Sequence, residues 1–179
     1  MKTLVVYKSN TGFTHRYAQY LGSQLHAEVM PLTAVKGKTM GNFDRVIYGG
    51  GLYAGSLNGL KKAKAMYKES GAKEFLVFAV GAMPADSPML EETWKRNLTK
   101  EELKTIPHFY MLGGLDYDHM KAVHKLMMKV AIGSVKAGKD RDEAAETFLK
   151  VCSHSFDGFS PSYAEPLLQY LKEKENENA

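Results

Sequence analysis

A single cysteine, Cys152, stands in a chain of 179 residues. No internal disulfide can form, so the fold rests on its core, and a reducing compartment suits it. One cysteine also rules out a C-x-x-C redox pair and the usual zinc spacings. Long apolar runs are missing too. None would span a bilayer, and Met1-Lys2-Thr3-Leu4 opens too short an apolar run for a secretory signal. These absences predict a soluble, cytoplasmic protein. Acids are in the minority, 20 against 24 lysines and arginines, for a formal charge of +4 and a pI near 9.0. That balance points to an acidic partner, an anionic ligand or an anionic membrane surface. The lysines are scattered and no aromatic-basic module of the known RNA or single-strand kinds is present, so nucleic acid is not expected.

What the chain does have is a hydrophobic fraction of 44%, enough for one compact core. One domain is expected over residues 1–172, with a Glu/Asn/Lys-rich tail at 173–179 expected to fray. Apolar runs bounded by turn signals alternate with helical periodicity, the pattern of a parallel sheet with crossover helices. Strands are predicted at Leu4 to Tyr7, Ala27 to Leu32, Asp44 to Gly50, Phe75 to Val80 and His108 to Leu112. Phe75 to Val80 is the most continuous apolar run, as expected of a central strand covered on both faces.

Helical stripes are read between the strands. Thr14, Tyr17, Ala18, Leu21 and Leu25 share one face; Leu57, Leu60, Ala63 and Tyr67 make the next, closed by Gly71 as a C-cap. A helix over 89–97 follows, and Thr99-Lys100-Glu101-Glu102 has the spacing of a capping box. Beyond the fifth strand, residues 119–136 read as a helix with a Met-rich face and a row of Lys121, Lys125 and Lys129. The plain reading of that row is a solvated face. The functional one is a wall for a flat substrate or quinone, or a basic face for peripheral contact with anionic lipid. Another helix is expected after Gly138, with Cys152 as a packing residue. The chain closes on a helix started by Ser160-Pro161, with Pro166 in its first turn.

The stretch Ser9-Asn10-Thr11-Gly12-Phe13-Thr14 sits where the first strand hands over to a helix. Hydroxyls at Ser9, Thr11 and Thr14, the permissive backbone of Gly12 and the unpaired amides of the helix start converge on one anion there. A hydroxyl-rich loop with a Thr N-cap is the plainer alternative. The carboxyl ends of the other strands carry Gly51-Leu52-Tyr53-Ala54-Gly55, Gly81-Ala82-Met83-Pro84 and Gly113-Gly114. In an open parallel sheet that edge is where ligands bind, and a phosphate at the first loop with a flat ring between the next two fits a mononucleotide.

Other motifs fail. Gly37-Lys38-Thr39 ends like a phosphate-binding P-loop, but Leu32 stands where its first glycine is required. Gly49-Gly50-Gly51-Leu52-Tyr53-Ala54 fits a dinucleotide fingerprint without its acidic ribose partner.

S-N-T-G-F-T resembles the Ser/Thr-x-Thr-Gly-x-Thr signature of flavodoxins and stands at the same place in the chain. The resemblance implies FMN and a doubly wound five-stranded α/β fold of order 2-1-3-4-5. It also implies cofactor contacts from Ser9, Asn10, Thr11, Gly12, Phe13, Thr14, Gly51, Leu52, Tyr53, Ala54, Gly55, Gly81, Ala82, Met83, Gly114, Asp116 and Tyr117. Tyr53 would cover one face of the ring, and residues 52–54 would reorient a peptide when the flavin is reduced. Within the superfamily, Leu52-Tyr53-Ala54-Gly55-Ser56 and Gly113-Gly114-Leu115-Asp116-Tyr117 look most like the flavodoxin-like protoporphyrinogen dehydrogenases.

Few acids flank the proposed ring site, Asp86 and Asp116 being the nearby ones, so a reduced, anionic flavin is repelled less than in a low-potential shuttle. The expectation is an FMN-dependent oxidoreductase for an organic substrate, a tetrapyrrole among the candidates, with electrons passing to a quinone or protein acceptor. A single-electron flavodoxin-type carrier is the alternative, and a cofactor-free module of the same fold a third.

Overall fold

The structure, a computed structural model, describes residues 1–36, 38–116 and 154–177, together with 132–133, 146 and 149. Tyr117, Cys152 and nearly all of the two helices expected over 119–136 and after Gly138 lie outside those residues.

Five parallel strands form the sheet. They are β1 (Thr3–Lys8), β2 (Glu28–Pro31), β3 (Arg45–Tyr53), β5 (Glu74–Gly81) and β6 (His108–Leu112), in the spatial order β2-β1-β3-β5-β6. Counted over the parallel strands alone, this is the expected 2-1-3-4-5 order. Residues alternate between faces, and each face is buried, which is why the strands read as continuous apolar runs. Val5, Ile47, Leu76 and Phe78 pack against α1 (Phe13–Leu25) and the closing helix. Leu4, Val6, Val46, Tyr48 and Val77 pack on the other side with α2 (Leu60–Ser70) and α3 (Met89–Asn97).

Local signals hold where they are strong. Gly71 caps α2 in the left-handed region at φ 78°, and the Thr99–Glu102 capping box is complete at the start of α4 (Lys100–Thr105). Two short pairings add to the expected set. β4 (Ser56–Leu57) turns back antiparallel on β3, so Leu57 belongs to a hairpin and not to the α2 stripe. β7 (Gly114–Leu115) pairs antiparallel with β8 (Phe156–Asp157), in a stretch with no periodicity of its own. The closing helix, α5 (Glu165–Glu177), follows a 3-10 turn capped by the Ser160 side chain and runs on through part of the segment expected to fray. Among the described residues no helix is long and apolar enough to cross a membrane.

The base of the sheet is tied by charge. Arg45, only 2% exposed, donates to Glu74 at 2.7 Å and to Glu175 at 3.0 Å, and Lys174 reaches the other Glu74 oxygen at 3.0 Å. This network holds the amino ends of β3 and β5 to the last turns of α5, leaving the carboxyl edge free for a ligand.

Candidate functional site

The hydroxyl turn is built as its residues dictate. β1 ends at Lys8; Ser9 Oγ then accepts the Gly12 amide at 3.0 Å, closing the turn. Gly12 sits at φ 92°, a left-handed conformation that an L side chain resists, and serves as N-cap of α1 with no side-chain cap bond. With glycine as the cap, the plainer alternative of a Thr N-cap does not hold, and Thr14 is a buried first-turn residue, 3% exposed. Asn10, Thr11 and Gly12 face solvent, and the space where a Gly12 Cβ would point is open. The Gly12 amide is taken by Ser9, so the helix start offers the amides from Phe13 on, together with the neighbouring hydroxyls, as the donors a phosphate requires.

The other carboxyl-edge loops close around this turn. A Cβ on Gly51 would stand 3.3 Å from the Tyr53 ring and 3.5 Å from Thr14 Oγ1. Tyr53 thus folds across Gly51, and its hydroxyl is hydrogen-bonded to the side chains of Asn10 and Thr11. Burial raises the pKa of that phenol, and the two hydrogen bonds moderate the rise. The ring expected to cover the flavin therefore reaches into the mouth of the hydroxyl turn. Gly81 faces Leu52, whose side chain would be 3.1 Å from a Cβ there. Phe13 lies against Gly113 and Gly114, so the end of β6 joins the same edge. Ala82 and Met83 are half-buried beside it, as is Asp116, whereas Asp86 is exposed.

Three tyrosines fix these loops, Tyr48 and Tyr17 buried and Tyr110 half-buried, and although the sequence placed Tyr17 on a core face, none of their hydrogen bonds was foreseen. Tyr48 of β3 donates to the Asn58 carbonyl, Tyr110 of β6 to the Met83 carbonyl at 2.7 Å, and Tyr17 of α1 to the Leu112 carbonyl at 2.6 Å. Burial pushes the phenols of Tyr48 and Tyr110 well above their ordinary pKa, so both stay protonated and donating. A signal was present: a tyrosine inside an apolar run has to find an acceptor for its hydroxyl.

The turn between β3 and β4 places Ala54 and Gly55 both at positive φ, 48° and 77°. Two positive φ values in a two-residue hairpin are the geometry of a type I′ turn, here with alanine in the position that disfavours it. Gly51 lies within the strand, so of the two glycines that flank residues 52–54 only Gly55 belongs to the turn. Two residues of α3, Arg96 and Asn97, grip this turn, and neither was foreseen.

FMN fits this edge. Ser9, Thr11, Thr14 and the amides of 13 and 14 would hold its phosphate, and residues 51–55 and 81–83 would flank its ring. Bound there, FMN supplies one- and two-electron transfer, and the protein supplies placement and charge.

Among solved structures the likenesses are distant. The chain is similar to a flavodoxin from the domain Archaea, at 14% identity over 85% of this chain and 96% of that one, with a TM-score of 0.43. It is similar to oxidised flavodoxin 1 from Bacillus cereus, at 12% identity over 86% and 95%, with a TM-score of 0.40. A WrbA-like flavodoxin from Agrobacterium tumefaciens matches at 16% identity over 84% and 94%, with a TM-score of 0.41. No curated protein matches the sequence. The family model described as a flavodoxin domain matches residues 4–142, from the first strand through most of the chain. The chain therefore belongs to the flavodoxin domain family, whose electron-transfer cofactor is FMN.

Proposed function

We propose that this flavodoxin domain is an FMN-dependent oxidoreductase that takes electrons from an organic substrate. The substrate class we favour is a tetrapyrrole at the porphyrinogen level, as in the protoporphyrinogen dehydrogenase branch that the 52–56 and 113–117 segments resemble. Electrons would leave to a quinone or a protein acceptor, and residues 119–136 are our candidate for contact with an anionic membrane surface.

One observation carries the reading: the hydroxyl turn and the ring loops meet at a single edge where, among the described residues, carboxylates are few. Asp86 is exposed, Asp116 is half-buried beside the loops, and Asp157 is engaged by Arg16 at 2.6 Å. Reduction places negative charge on the flavin, and a site with few acids opposes it less than an acidic one. Such a flavin is suited to accepting electrons from an organic donor.

The test is anaerobic. The FMN-loaded protein is mixed with a porphyrinogen and its absorbance near 450 nm (the flavin band, about that wavelength for flavins in general) is followed, then a quinone is added. Bleaching by the first and recovery by the second support the proposal. A flavin reduced only by low-potential one-electron donors would identify a carrier instead.

A further inference from the structure

Arg96 and Asn97 end α3. The Arg96 guanidinium donates to the Ala54 carbonyl at 3.0 Å, and Asn97 Nδ2 donates to the Gly55 carbonyl at 2.7 Å. Asn97 Oδ1 accepts the Leu57 amide at 2.7 Å, and its amide nitrogen also reaches the Thr93 carbonyl at 2.8 Å. Both carbonyls of the strained turn, and the Leu57 amide two residues beyond it, are thus held by two neighbouring side chains.

The approach depends on Gly55 in two ways. Its φ of 77° suits glycine, and a Cβ there would come within 2.6 Å of an Arg96 nitrogen. Gly55 gives the guanidinium room to lie against the backbone. Ala54 adds a further requirement, because a non-glycine residue at φ 48° persists only where its surroundings impose it. The hydrogen bonds from α3 are that imposition.

We propose that Arg96 and Asn97 are positioning residues for the flavin: they lock the Ala54–Gly55 turn, and Arg96 sets a positive charge on the loop that would flank the ring, which would favour its reduced, anionic form. The inference rests on the FMN reading above. It extends that reading from a scarcity of negative charge to a specific positive one. Arg96 is exposed, so its field is partly screened and depends on salt.

Two measurements separate this inference from the cofactor reading. The first uses the chain without cofactor. Chymotrypsin acts after aromatic residues, so the Tyr53–Ala54 bond reports on the turn, and local opening sets its cleavage rate when reclosing is fast. Asn97→Asp, which keeps the acceptor but removes the donor to Gly55, and Arg96→Ala should each raise cleavage there several-fold, while global unfolding by urea keeps a similar midpoint. Unchanged cleavage in both variants overturns the lock.

The second measurement is the two-electron potential of the FMN-bound protein. Arg96→Ala should weaken binding of reduced FMN relative to oxidised FMN by about tenfold, equivalent to about 30 mV more negative. Arg96→Lys should recover most of the shift, and 1 M salt should shrink it. A potential unmoved by Arg96→Ala, with FMN bound, overturns the charge assignment. Failure of the unaltered chain to take up FMN overturns the cofactor reading instead, and the cleavage experiment still judges the lock.

Discussion

Tyr110 gives its hydroxyl proton to the Met83 carbonyl, 2.7 Å away and 27 residues earlier in the chain, and so pins the 81–84 loop to the neighbouring strand. The phenol is protonated at neutral pH, and burial raises its pKa further. Tyr110→Phe removes this donor and leaves a carbonyl without its partner. The expected loss is about 1 kcal/mol of stability in urea unfolding. Weaker FMN binding is expected with it, since the loop no longer holds its place, and a fluorescence titration checks that. Equal affinity in Tyr110→Phe would show that the 81–84 loop plays no part in holding the ring.

The hydroxyl turn separates structural from ligand-binding hydroxyls. Ser9→Ala loses the bond to the Gly12 amide that closes the turn, and Thr11→Val loses an exposed hydroxyl at its mouth. Each should weaken FMN retention by about tenfold, the equivalent of one hydrogen bond to a charged group. Ser87→Ala is the control, because Ser87 Oγ accepts only a long 3.4 Å bond from the Met89 amide, away from the turn. Equilibrium dialysis against FMN ranks the three variants.

Glycine at position 49 serves packing and not nucleotide binding. A Cβ there would stand 1.9 Å from the Phe78 ring in the middle of the sheet. Gly49→Ala should destabilise the protein by about 2 kcal/mol, in the usual range for overpacking a core. Gly49→Ala with Phe78→Leu should recover part of this, and thermal unfolding of the pair decides it.

Acid should loosen the closing helix. Burial alone would raise the Glu74 carboxyl, but hydrogen bonds from Arg45 and Lys174 outweigh it and leave its pKa below the ordinary value. A carboxylate depressed in the fold stabilises the protein above its unfolded pKa of about 4.3, and that stability is lost as pH falls through the folded value. Stability should therefore decline as pH falls below about 4.3, and Glu74→Gln should flatten that part of the curve. At neutral pH the same substitution should destabilise by about 2 kcal/mol, because the buried Arg45 keeps only Glu175 as a charged partner. Urea unfolding across the pH range checks both.

Much of the fold was legible because it is written locally. The Thr99–Glu102 capping box, the Gly71 cap and the β6 span need only neighbouring residues to form, and each appears where its motif stands. Leu57 was misread because its spacing to Leu60 and Ala63 suits a helix, while the pairing that claims it, Leu52 with Leu57, depends on a turn with alanine at positive φ. The β7–β8 pair joins residues more than forty positions apart and has no periodic trace. Glu175 and Lys174 read as tail residues until Arg45 and Glu74 are placed beneath them. The hydroxyl turn and its partner loops were visible as residue types at strand ends. Arg96 and Asn97 were not, because nothing in a helix terminus announces which distant carbonyls it will meet.

Crystals of the protein grown with FMN test the central claim most directly. The account predicts the phosphate within hydrogen-bond distance of the amides of residues 13 and 14 and the hydroxyls of Ser9 and Thr11, with the Tyr53 phenol displaced from Asn10 and Thr11. FMN bound elsewhere, with Tyr53 still closed over an empty turn, would contradict it.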